Sequence, residues 1–141
     1  MSKLQLYCQV LEQSGLKSAG VITPYSAQKQ ALLRKLQQTA NGRHRAHVEV
    51  GTVDGFQGKE MDVIIVACVR ANKHDGIGFL TDTRRTNVAL TRAKSVLVVV
   101  GCFRVLCENS ATFRALYDDA AKRDCLVTLA GAAHQQHTVG L

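Results

Sequence analysis

The sequence predicts an α/β fold, a parallel sheet covered by helices on both faces. Three observations lead there. Strand-like and helix-like segments alternate along the 141 residues. Two strand-like segments, Asp62–Val69 (DVIIVACV) and Ser95–Gly101 (SVLVVVG), are unbroken apolar runs rich in β-branched residues, the pattern of strands buried on both faces. Hydrophobic residues make up 46% of the chain and there is one proline, which fits a globular domain of regular elements joined by short turns.

Taken in order, Ser2–Gln13 places Leu4, Leu6, Tyr7, Val10 and Leu11 close to a helical repeat, with Gly15 and Gly20 bracketing its end. Gly20–Tyr25 is a short apolar run stopped at Pro24 and reads as a strand. Ser26 is the expected N-cap of a helix over Ala27–Thr39, with Leu32, Leu33 and Leu36 on its buried side. Asn41–His47 (NGRHRAH) is a polar loop, and Val48–Val53 alternates as a strand does. After the buried run at Asp62–Val69 comes a glycine-containing loop, Arg70–Thr81; Asp82 or Thr83 then caps a helix over Arg84–Lys94. Ser95–Gly101 is the second buried strand. Phe103–Arg123 carries a long helical pattern with a break near Asn109-Ser110, and Cys125–Leu129 forms a last short strand. Ala130–Leu141 is small and polar. The expected organisation is one domain over 1–129 and a flexible tail over 130–141.

Lys and Arg number 18 against 11 Asp and Glu, a formal net charge of +7, which favours a polyanionic partner. The five cysteines, Cys8, Cys68, Cys102, Cys107 and Cys125, include no C-x-x-C pair, so a zinc site has little support. Their odd count, with Cys68 and Cys102 in or beside apolar runs, reads as reduced, mostly buried thiols of an intracellular protein. His44 and His47 form an isolated H-x-x-H in a polar stretch and read as solvated loop. No signal-peptide pattern opens the chain, and its apolar runs fall far short of the ~20 residues a bilayer needs. No metal site and no membrane partner are expected.

The most informative segment is Arg84–Lys94 (RRTNVALTRAK). Read as a helix, it puts Arg85 and Arg92 seven residues apart on one face, with Ala89 between them. An arginine at the end of a rigid helix, beside a buried strand, suits a phosphate, because its planar fork is always charged and matches phosphate oxygens. A solvated basic helix is the plain alternative. The only near-match to a phosphate-binding loop is at Val53–Glu60. Val53 stands where the first glycine of G-x-x-x-x-G-K-[ST] belongs, and Glu60 where the hydroxyl belongs. No apolar strand ends in the Asp-Glu pair of a magnesium site.

Several long motifs share one resemblance. VGTVDGFQGKEMDVIIVACVRAN (Val50–Asn72) and RRTNVALTRAKSVLVVVG (Arg84–Gly101) resemble motifs V and VI of superfamily 1 helicases, in the up-frameshift and senataxin-like branch. GVITPYSAQ (Gly20–Gln28) resembles that branch's motif IV, and GIGFLTD (Gly76–Asp82) its loop between motifs V and VI. The likeness runs from Gly20 to Leu129 in order and at the family's spacing. Gly55 and Thr86 depart from it, where alanine and leucine are frequent, without removing a charged contact.

The resemblance implies the second, C-terminal RecA-like domain of a helicase, with a first strand expected upstream of Met1. It implies ATP and Mg²⁺, both held mainly by an N-terminal RecA-like domain that would be this domain's partner, and single-stranded RNA or DNA as the track. It places Arg92 at the arginine finger, which stabilises charge building on the transferring phosphoryl group. Gln57, Gly58 and Glu60 would face the nucleotide, Glu60 accepting from the sugar hydroxyls, and Arg85 would be a supporting charge. Thr23, Pro24, Tyr25, Thr52, Asp54 and Asn72, with Arg70 nearby, would form the single-strand surface at the carboxyl ends of the strands. Tyr25 could stack on a base or pack beneath its motif. Arg43, Arg45 and His47 could extend the basic face.

The function read from the sequence is therefore one domain of an ATP-dependent 5′-to-3′ helicase acting on RNA or RNA–DNA, in nucleus or cytoplasm. By itself the chain lacks the triphosphate-binding parts and is expected to be inactive. A non-catalytic nucleic-acid-binding module is the alternative, which an upstream G-x-x-G-x-G-K-[ST] segment would exclude.

Overall fold

The computed structural model describes residues 14–39, 47–68, 78–128 and 137–140. Expectations for Ser2–Gln13, Cys8, Arg43, His44, Arg45, Arg70 and Asn72 fall outside these residues. The described elements are β1 (Ser18–Ile22), α1 (Ser26–Thr39), β2 (His47–Gly51), a 3₁₀ turn (Asp54–Phe56), β3 (Met61–Cys68), a second 3₁₀ turn (Gly78–Thr81), α2 (Thr83–Leu90), β4 (Ala93–Gly101), α3 (Phe103–Asn109), α4 (Ala111–Lys122), β5 (Leu126–Thr128) and β6 (His137–Gly140).

The sheet order is β2-β1-β3-β4-β6-β5. β2, β1, β3 and β4 are mutually parallel, which is the α/β, RecA-like arrangement expected from the sequence. The antiparallel strand β6 was not anticipated. It lies between β4 and β5 and is formed by residues 137–140, within the segment read as a tail.

Two apolar layers cover the two faces. One gathers Ala19, Val21, Val50, Val63 and Ile65 under Leu32 and Leu36 of α1. The other gathers Ile22, Ile64, Val66, Leu97 and Val99 under α2, α3 and α4, with Phe103, Leu106 and Phe113 fully buried. β3 is buried along almost its whole length, as its β-branched run predicts. β4 is less so: Leu97 and Val99 are buried, whereas Val96, Val98 and Val100 are half-buried against the first layer. Leu33 is exposed, contrary to the sequence reading, because it sits about 100° around the helix from Leu32 and points away from the sheet. The break at Asn109-Ser110 is real: Ser110 separates α3 from α4 and caps α4, its Oγ accepting from Phe113 N at 3.4 Å.

The start of the sheet is locked by one carboxylate. Asp62 Oδ2, at the second residue of β3, accepts from Lys17 N (2.9 Å), Ser18 N (3.0 Å) and Ser18 Oγ (3.1 Å) at the start of β1. Ser18 Oγ in turn accepts from Asp62 N at 3.0 Å. The Lys17 N–H, the Ser18 donors and the Lys94 charge hold the Asp62 carboxyl below its ordinary value, against the opposing effect of burial. A carboxylate depressed in the folded state contributes stability that is complete above the unfolded value, about 3.9, and is lost as pH falls through the folded value. Asp62→Asn should therefore melt below wild type at pH 6. The gap should close as pH drops below about 4, in melting curves recorded from pH 6 downwards. A pH-independent gap would show that the ionised form is not what matters.

Candidate nucleotide and nucleic-acid edges

The site residues lie along two opposite edges of the parallel sheet, and the chain alternates between them. β1 and β2 end together: Thr23 N donates to Gly51 O at 3.0 Å, which sets Thr23-Pro24-Tyr25 beside Thr52-Val53-Asp54. β3 and β4 begin together. Met61 N donates to Arg92 O at 3.0 Å, and Met61 registers with Ala93. Glu60 and Arg92, the residues just before these strands, are thereby neighbours on the amino-terminal edge.

At the carboxyl edge the side chains are heavily committed. Thr23 is fully buried, its hydroxyl donating to Gln28 Oε1 and accepting from Tyr25 N at 3.3 Å. It shapes the turn and does not present a donor at the surface. Tyr25 is half-buried, and its hydroxyl stands where a Cβ on Gly78 would approach to 3.0 Å. Pro24 and Thr52 are half-buried, and Thr52 Oγ1 accepts from Gly55 N at 3.4 Å. Asp54 is exposed and pairs with Arg85, Oδ2 to Nη2 3.5 Å.

The segment from Thr52 to Glu60 crosses from one edge to the other and is fixed by Phe56. That ring is fully buried over two glycines of adjacent strands. A Cβ on Gly20 would lie 2.6 Å from Phe56 Cε1, and one on Gly51 2.8 Å from Phe56 Cε2, closer than real side chains come. Lys59 passes over the same ring, its Nζ 5.9 Å from the centroid, and pairs with Glu49 of β2. Gly58 has φ +77°, a left-handed conformation that favours glycine, and open space around its Cα. The backbone is thus exposed at Gln57-Gly58, and both residues and Glu60 are solvent-facing.

α2 crosses in the same sense. Asp82 caps it, Oδ1 accepting from Arg84 N (2.9 Å) and Arg85 N (3.4 Å), and Oδ2 lies 3.8 Å from Arg85 Nε. Thr86, one of the two departures from the family pattern, is buried with its hydroxyl donating to Leu80 O at 3.0 Å, so the polar group is satisfied. The helix ends at Leu90 with Thr91 as C-cap. Arg92 then folds back on the helix: Nε donates to Val88 O (3.1 Å) and Nη2 to Thr91 Oγ1 (3.2 Å), where the carbonyl-rich terminus favours a cation. Arg85 and Arg92 therefore do not share a helix face, as the sequence spacing suggested. They lie at opposite ends of α2, Arg85 beside the carboxyl edge and Arg92 at the amino edge. Asn72 lies outside the described residues.

A cleft of about 230 Å³ opens between the 3₁₀ turn and α2, lined by Val53, Asp54, Gln57, Asp82, Arg85 and Val88 among others. Sequence reasoning missed Asp62, Phe56 and the double use of Asp82. Only Phe56 left a trace there, a lone aromatic in a glycine-rich segment. The free cysteines of the described region are Cys68, Cys102, Cys107 and Cys125. Cys68 is buried and its thiol is pushed up to about 12, so it is an inert packing residue. Among the described residues no group of three or more His, Cys, Asp or Glu could hold a metal ion, and no helix is long and apolar enough to cross a membrane.

Residues 1–104 match the family described as AAA domain. The chain is 45% identical over 119 residues, 82% of its length, to a "Regulator of nonsense transcripts 1 homolog" of Neurospora crassa, of which it spans 11%. It is 46% identical over 110 residues to the "ATP-dependent helicase NAM7" of Saccharomyces cerevisiae, covering 77% of this chain and 11% of that protein. To the "Helicase sen1" of Schizosaccharomyces pombe it is 43% identical over 104 residues, 74% of this chain and 6% of that one. The chain thus spans about a tenth or less of the length of these relatives. A family match over most of the chain, relatives of this identity, and motifs in order on a parallel α/β sheet lead to one conclusion: the chain belongs to the AAA domain family and is a helicase domain of the up-frameshift and senataxin-like branch of superfamily 1.

Proposed function

We propose that this chain is the C-terminal RecA-like domain of an ATP-dependent helicase translocating 5′ to 3′ on RNA or RNA–DNA, and that it supplies the arginine finger and part of the single-strand surface. The observation that carries the reading is the Met61–Arg92 backbone bond, which seats Arg92 beside Glu60 on the edge opposite Thr52 and Tyr25. A motor that converts nucleotide state into strand movement needs those two surfaces on one rigid body. Arg92 would meet the transferring phosphoryl group and Glu60 the sugar hydroxyls, with Gln57 and Gly58 lining the approach. Pro24, Tyr25, Thr52 and Asp54 would border the strand, with Thr23 holding their turn from beneath. Most of the contacts to ATP and to Mg²⁺ would come from an N-terminal RecA-like domain. An intracellular compartment is part of the same proposal.

The test separates the two surfaces. The chain alone should show no ATP turnover with Mg·ATP and single-stranded RNA, and turnover should appear once the complementary phosphate-binding domain is present. The chain alone should still bind single strands weakly, through a few phosphate contacts, with a salt slope of about −0.7 per phosphate neutralised. Turnover by the chain alone that survives repurification would overturn the division of labour. Binding indifferent to salt would overturn the strand surface.

A further inference from the structure

We propose that Arg85 is a positioning residue: its guanidinium ties the strand-side turn at Asp54 to the Asp82 cap of α2, and α2 carries that tie to Arg92. This rests on the function proposed above. It also moves Arg85 away from the nucleotide, where the sequence placed it.

The geometry is a continuous series of contacts. Asp54 stands two residues after Thr52, on the turn that leaves β2. Arg85 Nη2 is 3.5 Å from Asp54 Oδ2, and Arg85 Nε is 3.8 Å from Asp82 Oδ2. Asp82 is at once the counter-charge of Arg85 and the N-cap of its helix. α2 spans eight residues, about 12 Å at the rise of an α-helix. Buried Ala89 and Thr86 seat it on the core, and the Thr86–Leu80 bond joins it to the preceding 3₁₀ turn. At its far end Thr91 N and Oγ1 both donate to Asn87 O, at 3.1 and 2.8 Å, and Arg92 Nε donates to Val88 O. Arg92 O receives Met61 N, next to Glu60. The Met61–Arg92 bond holds the Arg92 main chain beside Glu60, while its side chain is held by Val88 O and Thr91 Oγ1, so a rotation of α2 about its buried face re-aims the Arg92 guanidinium relative to Glu60.

The ion pairs are poor stabilisers and good triggers. Asp54 and Asp82 are exposed, and the separations exceed the 2.7–2.9 Å of a charge-assisted hydrogen bond, so the pairs add little to folding. A strand phosphate arriving at Thr52 would repel the Asp54 carboxylate and attract the Arg85 guanidinium, changing the bridge at its weakest point. The cleft beside it gives the side chains room to rearrange. The charged groups facing Arg85 there are Asp54, Asp82 and Arg84.

The experiment is a double-mutant cycle in the two-domain protein, read as kcat for ATP hydrolysis at saturating single-stranded RNA, with KM for ATP and melting temperature alongside. Asp54→Asn and Arg85→Gln should each lower the stimulated kcat by about tenfold, a usual coupling factor, and the double variant should be no worse than the poorer single. Arg85→Lys should recover part of the loss, since an ammonium can still reach one carboxylate. Melting temperatures should move by less than about 5 °C. Losses that multiply in the double variant would overturn the bridge. So would a raised KM for ATP in Arg85→Gln, which would make Arg85 a nucleotide ligand. A wild-type protein whose hydrolysis ignores the strand would overturn the proposed function itself, and this inference with it. Should Arg85→Gln fail to fold, Asp54→Asn and Arg85→Lys carry the same comparison.

Discussion

Arg92→Ala is expected to lower kcat for strand-dependent ATP hydrolysis in the two-domain protein by on the order of 10³–10⁵, the usual contribution of an arginine finger. The fold should barely notice. Arg92 is half-buried at the end of α2, and what it loses are hydrogen bonds to Val88 O and Thr91 Oγ1. Both acceptors remain within reach of water, so the cost should be no more than about 1 kcal/mol. The Met61–Arg92 bond uses the backbone carbonyl and survives the substitution. Strand affinity should also hold, because Thr52 and Tyr25 lie on the opposite edge. Arg92→Lys should fail almost as badly as alanine. The guanidinium is held on two sides, through Nε and Nη2, which aims its fork; an ammonium has no second nitrogen to fix its direction. The comparison to make is kcat, melting temperature and strand affinity for wild type, Arg92→Ala, Arg92→Lys and Arg85→Gln. Near-normal kcat in Arg92→Ala would assign the finger to another residue.

That prediction uses a position the sequence exposed and a geometry it did not. The TRAK segment marks Arg92 by pattern. Its distance from Arg85 depends on where the helix stops, and the stop is set by Thr91 and by the pull of β4 into the sheet. A continuous helix over Arg84–Lys94 would have put the two arginines on one face; the observed one ends at Leu90. The same distinction runs through the chain. β3 and the Ser110 break were legible because each is encoded locally, by an unbroken apolar run and by a capping hydroxyl. Leu33 was misread for the opposite reason: three leucines within a 100° arc can all face a sheet, and which of them lies at the margin depends on how the helix is docked. β6 was missed because a four-residue strand with no apolar run is defined by its partners, β4 and β5, and not by itself. Asp62 was missed because its donors lie 44 and 45 residues away. At the site, the residue types on each edge were legible. The commitments of their side chains were not: Asp54 to Arg85 requires segments 31 residues apart to meet, and Thr23 to Gln28, though local, depends on how the turn between β1 and α1 folds.

The largest stability effect should come from Phe56, which holds the segment bearing Thr52, Asp54, Gln57, Gly58 and Glu60 onto the sheet. Its ring is fully buried in the slot left by the missing side chains of Gly20 and Gly51. Phe56→Ala should cost about 3–5 kcal/mol, transfer and cavity terms together. That is a large part of the 5–15 kcal/mol a domain typically has. Gly20→Ala attacks the same contact from the other side. Its new Cβ would stand 2.6 Å from Phe56 Cε1 and 2.7 Å from Ile64 Cδ1, both fully buried, so neither can move aside freely. Overpacking of this kind costs about 1–3 kcal/mol. The slot makes a sharper claim about the pair. With the ring removed by Phe56→Ala, the Gly20→Ala methyl no longer meets Phe56, Ile64 Cδ1 gains room to shift, and the methyl fills part of the void, so the double variant should be less destabilised than the sum of the two singles. Urea unfolding of the four proteins gives the cycle directly, provided the m-values agree. Additive losses would mean that Gly20 and Phe56 do not share a slot, and the account of what anchors this segment would have to be rebuilt from Val53 and Lys59 instead.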